Sequence, residues 1–81
     1  MDKSKKIETK ISNISDLGAI IRQYRNAQNL SQETAAGLLG VSRKLLSEIE
    51  TGKKNTIQVG KILKIVQRMG LEIKLVPKVR R

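Results

Sequence analysis

The spacing of apolar residues along this chain predicts four helices. Between residues 14 and 28 an apolar stripe is formed by Leu17, Ile20, Ile21 and Tyr24. Two further helical patterns lie between residues 32 and 50. A fourth runs from about residue 57 to residue 69, with a broad apolar face made of Ile62, Leu63, Ile65, Val66 and Met69. Residues that recur at i, i+3 and i+4 share one face of an α-helix. The pattern therefore predicts a mainly α-helical bundle around an aliphatic core.

The stretch from Gln32 to Glu50 predicts two short helices joined by a tight turn. Their apolar faces consist of Ala35, Ala36, Leu38 and Leu39 in the first and Leu45, Leu46 and Ile49 in the second. Gly40 lies between them and can adopt the left-handed conformation that ends a helix. Ser42 is a suitable N-cap, because its hydroxyl can accept a hydrogen bond from a free amide of the next helix. A helix pair of this size with glycine in its turn is the helix-turn-helix pattern.

The exposed face of the second helix of this pair carries the candidate base-reading residues, Arg43, Lys44 and Ser47. Arginine and lysine can donate to guanine O6 and N7, and serine can pair with several bases. Gln32 opens the preceding helix, where free amides and the positive end of the helix dipole suit a phosphate. An ordinary helical hairpin with a solvated basic face would show the same periodicity. The Gly-Val-Ser turn, the opening glutamine and the basic composition together favour DNA binding.

Several basic residues outside this helix are candidates for contacting the DNA backbone. Lys53 and Lys54 follow the second helix of the pair, after Gly52 as its predicted stop. Arg22 and Arg25 lie away from the apolar stripe of the first helix and can reach phosphates, although a merely solvated role is the ordinary expectation for each. The loop lysines are expected to contact phosphates rather than only water.

The ends of the bundle are marked by capping residues and by a polar arm. Residues 1–12 are predicted to form a flexible basic arm, in which residues 7–11 alternate apolar and polar. That alternation predicts either a short strand or an arm without fixed structure. Asn13 and Asp16 have the spacing of an N-cap and the third residue of a helix, and Thr56 is predicted to cap the fourth helix.

Residues 71–77 predict a short strand at the C-terminal end of the bundle domain, which is expected to span residues 13–76. Leu71, Ile73 and Leu75 alternate with charged residues, and Pro77 ends the run. A lone strand has unpaired backbone groups and needs a partner. The partner is either residues 7–11 or, as we favour, the same strand of a second subunit. The predicted dimerisation residues are Leu71, Ile73, Leu75, Ile65 and Met69, and residues 77–81 form a basic tail.

Composition narrows the class of function. The 81 residues carry a net charge of +10 and contain neither cysteine nor histidine. One domain is therefore expected, without disulfides, cofactor or metal, and without a catalytic constellation, so that an enzyme is the least expected class. The charge favours a polyanion such as nucleic acid. No apolar run approaches a membrane span and no secretory signal is recognisable, so the expected location is the cytoplasm.

The helix-turn-helix segment resembles the Xre/Cro/C1 family of bacterial DNA-binding proteins. The resemblance rests on Leu30-Ser31-Gln32, Gly40-Val41-Ser42-Arg43, Ser47-Glu48-Ile49-Glu50 and Gly52, and covers about residues 14–69. It implies a lambda-repressor-like bundle of four or five helices that binds double-stranded operator DNA as a dimer. By this resemblance Arg43, Lys44 and Ser47 face bases, Gln32 binds a phosphate and Glu50 has a structural role. The resemblance also implies a bacterial protein that is located at the nucleoid when bound to its operator. The other predicted phosphate contacts are Ser42, Lys53, Lys54 and Arg22. Ala35 and Leu46 depart from the family's usual leucine and isoleucine, which affects core detail more than fold.

The C-terminal half is similar to the HipB-type antitoxins within that family. The similar segments are Asn55-Thr56-Ile57, Leu63-Lys64-Ile65 and residues 69–75, and the likeness extends over about residues 13–76. It implies a homodimer with an intersubunit sheet, a HipA-type Ser/Thr kinase toxin as partner, with or without a further subunit of the toxin operon, and repression of the shared operon through a palindromic operator. Two alternatives remain open: a stand-alone phage or housekeeping repressor, and a module that binds an acidic protein and no DNA.

Overall fold

The computed structural model describes residues 9–54 and 56–78, and within them the chain folds into four helices. These are α1 (Ile14–Ala27), α2 (Gln32–Leu39), α3 (Arg43–Glu50) and α4 (Val59–Arg68). The mainly α-helical bundle predicted from the apolar spacing is thereby confirmed. None of the described helices is long and apolar enough to cross a membrane.

A polar side chain caps the N-terminus of each of the first three helices. The Asn13 Oδ1 accepts from the Asp16 amide at 2.9 Å, and the Asp16 carboxylate accepts from the Ser12 amide at 2.8 Å. Ser31 and Ser42 cap α2 and α3 in the same way. Each cap satisfies an amide that has no partner inside its helix. The predicted caps at residues 13 and 42 are confirmed.

Left-handed Gly40 ends α2, with a φ of 76°. This conformation lets the amides of Gly40 and Val41 bond back to the last turn of α2 and turns the chain toward α3. The predicted start of α4 is wrong, because the helix begins at Val59 after Gln58 and not at Thr56. The intervening loop brings Ile57 against the core before the helix starts.

The core lies between the four helices, where α3 packs against α1 and α2, and α4 packs against α2. Its fully or nearly buried apolar residues are Leu17, Ile21, Ala35, Ala36, Leu39, Leu46, Ile49, Ile62, Ile65 and Val66. Leu46 and Ile49 have no exposed surface, so α3 is anchored along its inner side. Three residues assigned to inner faces are instead exposed: Tyr24, Leu38 and Leu63. Helix α2 has only eight residues, and it packs on the core through Ala35, Ala36 and Leu39. Leu38 therefore lies on its solvent side.

A glycine sets the distance between α1 and α3. Gly18 is buried, and a Cβ atom added there would overlap the carbonyl oxygen of Ile49. The backbones of the two helices therefore approach more closely than any side chain at this position allows. This role of Gly18 was not predicted from the sequence.

The C-terminal segment forms no strand within the described part of the chain. Residues 71–78 have no regular secondary structure; Leu71 packs against the core, whereas Leu75 and Val76 are exposed. Residues 9–11 form no strand either, while residues 1–8, Asn55 and 79–81 lie outside the described residues. The predicted strand is thus not confirmed. A strand that pairs only between subunits would lack its partner in a single chain, so this pairing remains a prediction.

Candidate nucleic-acid interface

The outer side of α3 presents the residues predicted to read bases. Arg43 and Lys44 are exposed in its first turn, and Ser47 follows one turn after Arg43 and is half-buried. Residues four apart lie above one another on a helix, so Arg43 and Ser47 share a face. Because Leu46 and Ile49 fix the opposite side in the core, this face is held outward on a rigid element.

The N-terminal end of α3 brings together two of the predicted phosphate contacts. The Ser42 Oγ accepts from the Leu45 amide at 3.0 Å, which leaves its hydroxyl proton free to donate outward. Gln32, at the start of α2, lies beside Arg43: the Arg43 Nη1 donates to the Gln32 Oε1 at 3.2 Å. The starts of α2 and α3 therefore form one polar edge, with the positive ends of both helix dipoles.

A buried ion pair between α1 and α3 supports this edge. The Arg25 Nε and Nη2 donate to the two Glu50 carboxylate oxygens at 2.7 and 2.9 Å, and Nη1 donates to the Leu30 carbonyl oxygen at 2.7 Å. The Glu50 side chain is only 1% exposed. The structural role expected for Glu50 is consistent with this burial. The role considered for Arg25 at a phosphate is wrong, because its guanidinium is already used by these partners.

The Glu50 carboxylate also binds Gln32, so that four side chains are joined in series. The Gln32 Nε2 donates to the Glu50 Oε1 at 3.1 Å. The order is Arg25, Glu50, Gln32 and Arg43, and it connects α1, the end of α3, the start of α2 and the start of α3. This series of contacts was not predicted from the sequence. One signal was available, since Arg25 follows the buried Ile21 by four residues and therefore lies on the inner side of α1.

The charges around Glu50 determine its protonation. Burial raises the pKa of the Glu50 carboxyl, but hydrogen bonds from Arg25 and Gln32, together with the charges of Arg25 and Arg22, outweigh burial and hold that pKa below its ordinary value. The hydrogen bond to Glu50 raises the pKa of Arg25. Glu50 is therefore ionised at neutral pH, and its negative charge is compensated inside the protein.

The loop after α3 holds the remaining predicted phosphate contacts. The amides of Lys53 and Lys54 donate to the Glu48 carbonyl oxygen at 2.9 and 3.2 Å, and both side chains are exposed. The Lys54 Nζ lies 4.0 Å from the Glu48 carboxylate. An exposed pair at this distance contributes little to stability, so it leaves the lysine available for another anion. Cations thus lie at both ends of α3.

The outer face of α3 is polar, its inner face packs in the core and cations lie near both of its ends. This arrangement fits a DNA-binding helix-turn-helix transcriptional regulator. A family model described as helix-turn-helix matches residues 21–76. The chain therefore belongs to the helix-turn-helix family of Xre/Cro/C1 type.

Individual relatives agree with this assignment. The chain is 40% identical over 64 residues to an uncharacterized HTH-type transcriptional regulator, y4mF, of Sinorhizobium fredii, covering 79% of this chain and 83% of that protein. The restriction-modification controller protein C.AhdI of Aeromonas hydrophila is 34% identical, with a TM-score of 0.64 over 73% of this chain and 88% of that one. HipB in a HipB-O4 20mer complex is 20% identical, with a TM-score of 0.72 over 86% of this chain and 97% of that one, a likeness of fold alone.

Proposed function

We propose that this protein is a homodimeric repressor that binds a palindromic operator through α3 and acts as the HipB-like antitoxin of a type II toxin-antitoxin operon. The observation that supports operator binding best is the outward face of Arg43, Lys44 and Ser47 on a helix whose other side is locked in the core. Two copies would place their α3 helices about 34 Å apart, in successive major grooves.

Within this proposal the side chains divide into two groups. Arg43, Lys44 and Ser47 face base edges and supply the choice of sequence. Phosphates are bound by Gln32, Ser42, Lys53, Lys54 and Arg22. The cations among them provide a salt-dependent affinity, because each neutralised phosphate releases condensed counterions.

Replacement of Arg43 by alanine is expected to weaken operator binding by about 1–3 kcal/mol and to relax the preference at one base pair. The reason is the loss of guanidinium donors that fit the guanine edge. Binding titrations against duplexes with every single base-pair substitution measure both effects. Lys53→Ala is the matched control: it should weaken binding about equally for all sequences and reduce the salt slope by about one. Unchanged discrimination in the Arg43 variant would exclude this residue from base reading.

Dimerisation is proposed through the C-terminal segment. Leu75 is 94% exposed and Ile73 is 45% exposed in the single chain, while Met69 and Leu71 are half-buried. Apolar side chains left in water favour an apolar partner. Ile65, also predicted to contact the second subunit, is 1% exposed and contributes to the chain's own core instead, so the proposed interface retains the other four residues.

Leu75→Ser is expected to raise the dimer dissociation constant by at least about tenfold, because each subunit loses an apolar side chain worth about 1.5–3 kcal/mol on burial. The stability of the monomer should not change, since Leu75 has almost no contact within the chain. Sedimentation equilibrium measures the effect. Lys74→Ser, on the alternate side of the segment, serves as control. If both variants dimerise like the wild type, the interface lies elsewhere.

The more specific part of the proposal is that the protein binds a HipA-type kinase toxin. It is supported by the C-terminal segments that resemble HipB-type antitoxins and by the likeness of this fold to HipB over 97% of the HipB chain in its O4 complex. The second candidate is a stand-alone repressor, which the higher identity to a controller protein of a restriction-modification system favours.

Affinity purification of the tagged full chain from its native cell, with nuclease treatment and mass spectrometry, separates the two candidates. A kinase-like protein recovered in fixed stoichiometry would support the antitoxin. Recovery of the bait alone would exclude a stable toxin complex and favour the stand-alone repressor.

A further inference from the structure

Helix α4 carries three cations on one face, beside the C-terminal end of α2. Lys61, Lys64 and Arg68 are all exposed, and residues three, four or seven positions apart share a face of a helix. The ion pairs among the described residues are those of Glu48 and Glu50, so the three cations have no partner carboxylate in that part of the chain. Like charges at this spacing repel each other, and an anionic partner would relieve the repulsion.

A groove with an apolar floor lies beside these cations, where the end of α1, helix α2 and the end of α4 meet. Its volume is about 70 Å³. At its mouth are Leu38, which is 62% exposed, and Arg68, whose Nη1 donates to the Leu38 carbonyl oxygen at 3.5 Å. An apolar side chain inserted here would be removed from water by the floor and by Leu38 together. The buried residues of the floor are Ile21, Ala35, Leu39 and Leu46.

We propose that the α2–α4 surface, defined by Leu38, Lys61, Lys64 and Arg68, binds an acidic segment of a partner protein through one aliphatic side chain. This side chain enters the groove, and the carboxylates that flank it bind the three cations. An apolar cavity of about 150 Å³ holds a benzene ring, so the smaller groove suits the end of a leucine, isoleucine or methionine. The occupant is the protein partner of the proposed function, on which this inference rests, whether or not that partner is a kinase.

The position and chemistry of the groove favour a protein segment over DNA. Its floor includes Leu46 on the inner side of α3, whereas the proposed base-reading residues lie on the outer side, so the groove is on the side of α3 away from the operator. A phosphate backbone has no aliphatic side chain to fill it. A second copy of this chain with the same surface would place like charges opposite each other.

Arg68 is suited to hold a carboxylate at the mouth of the groove. Its contact with the Leu38 carbonyl oxygen places the guanidinium over the C-terminal end of α2, where a cation is favourable. An arginine has five N–H donors, and the Leu38 contact uses one of them. The remaining donors can bind a carboxylate in the bidentate geometry that gives strong, directional pairs.

Selection of random peptides of about a dozen residues, displayed on phage, by the full-length protein tests the proposal. The enriched peptides should share one aliphatic residue flanked by aspartate or glutamate. In fluorescence anisotropy titrations the best-enriched peptide should bind Leu38→Ser about tenfold more weakly than the wild type, because its aliphatic side chain buries less apolar surface. It should bind Lys64→Ala about two- to fivefold more weakly, through the loss of an exposed ion pair.

Val59→Ser and Lys74→Ala are the matched controls. Both positions are exposed and neither lines the groove, so the peptide should bind these variants within about twofold of the wild type. The peptide should also bind protein that is saturated with a duplex enriched from a random-sequence pool, because the two ligands occupy different sides of α3.

The contrary outcomes are distinct. Enrichment of no peptide, or of peptides that bind Leu38→Ser like the wild type, would overturn the proposal. Displacement of the peptide by the duplex would place it on the DNA face, and a salt slope of duplex binding lower by about one in Lys64→Ala would assign this lysine to a phosphate; either result overturns the proposal as well. Thermal unfolding identifies any loss of fold in Leu38→Ser, in which case Lys64→Ala decides. A protein that binds the peptide but enriches no duplex sequence would contradict the proposed operator binding alone.

Discussion

Replacing Arg25 by methionine is expected to lower the free energy of unfolding by about 3–5 kcal/mol, because it leaves the Glu50 carboxylate buried without its ionic partner. The Glu50 side chain is 1% exposed and receives two of its three hydrogen bonds from Arg25. A domain of this length has a total stability of roughly 4–12 kcal/mol. The expected loss is therefore a large fraction of the total stability.

Urea unfolding followed by circular dichroism measures this loss. Arg22→Met is the matched control on the same helix, since Arg22 is exposed and surface substitutions usually change stability by less than about 0.5 kcal/mol. Equal midpoints for the two variants would mean that the ion pair contributes no more than a surface charge.

Through Glu50, the free energy of unfolding should depend on pH with opposite sign in the wild type and in Arg25→Met. In the wild type the pKa of Glu50 is held below its ordinary value, so the stability that it contributes is complete above the unfolded pKa of about 4.3 and is lost as pH falls through the folded pKa. In Arg25→Met, burial without the guanidinium raises the pKa of Glu50, and acid relieves the unpaired charge. The stability gap between the two proteins should narrow below about pH 5. A constant gap from pH 7 to pH 4 would contradict this account.

Local chemistry made the helices predictable. Apolar spacing identifies α1, α2 and α3, and Asn13, Gly40 and Ser42 mark their ends, because caps depend on neighbouring backbone groups. The exposure of Arg43 and Lys44 follows equally from the position of Leu46 and Ile49. The start of α4 was misplaced because the loop must bring Ile57 to the core, which is a tertiary requirement.

Contacts between distant residues were not predictable in this way. The partners Arg25 and Glu50 are separated by 25 positions, and only the packing of α1 on α3 brings them together. The same holds for the link from Glu50 to Gln32. The C-terminal strand was predicted from its alternation, yet a strand also requires a neighbour to accept its hydrogen bonds. The structure gives the positions of Arg43, Lys44 and Ser47 on α3. Their contacts with bases remain predictions.

Gly18→Ala is expected to cost about 3 kcal/mol net, at the upper end of overpacking effects, because the new Cβ meets a backbone carbonyl rather than a flexible side chain. A gain of about 1 kcal/mol in helix propensity offsets part of the clash. Gly37→Ala is the matched control: no atom lies within 4 Å of its added Cβ, so only the propensity gain of about 0.5–1 kcal/mol remains.

The two substitutions should therefore shift the melting temperature in opposite directions, with Gly18→Ala lower by at least about 10 °C and Gly37→Ala higher by a few degrees. Calorimetry measures both. A stabilised Gly18→Ala would show that α1 and α3 are not in close contact. Because the obstructing carbonyl belongs to Ile49, next to Glu50, any folded Gly18→Ala protein must move the end of α3 away from α1. That movement shifts α3, the helix that carries the proposed base-reading residues, so discrimination between DNA sequences should weaken together with stability, while Gly37→Ala leaves discrimination unchanged.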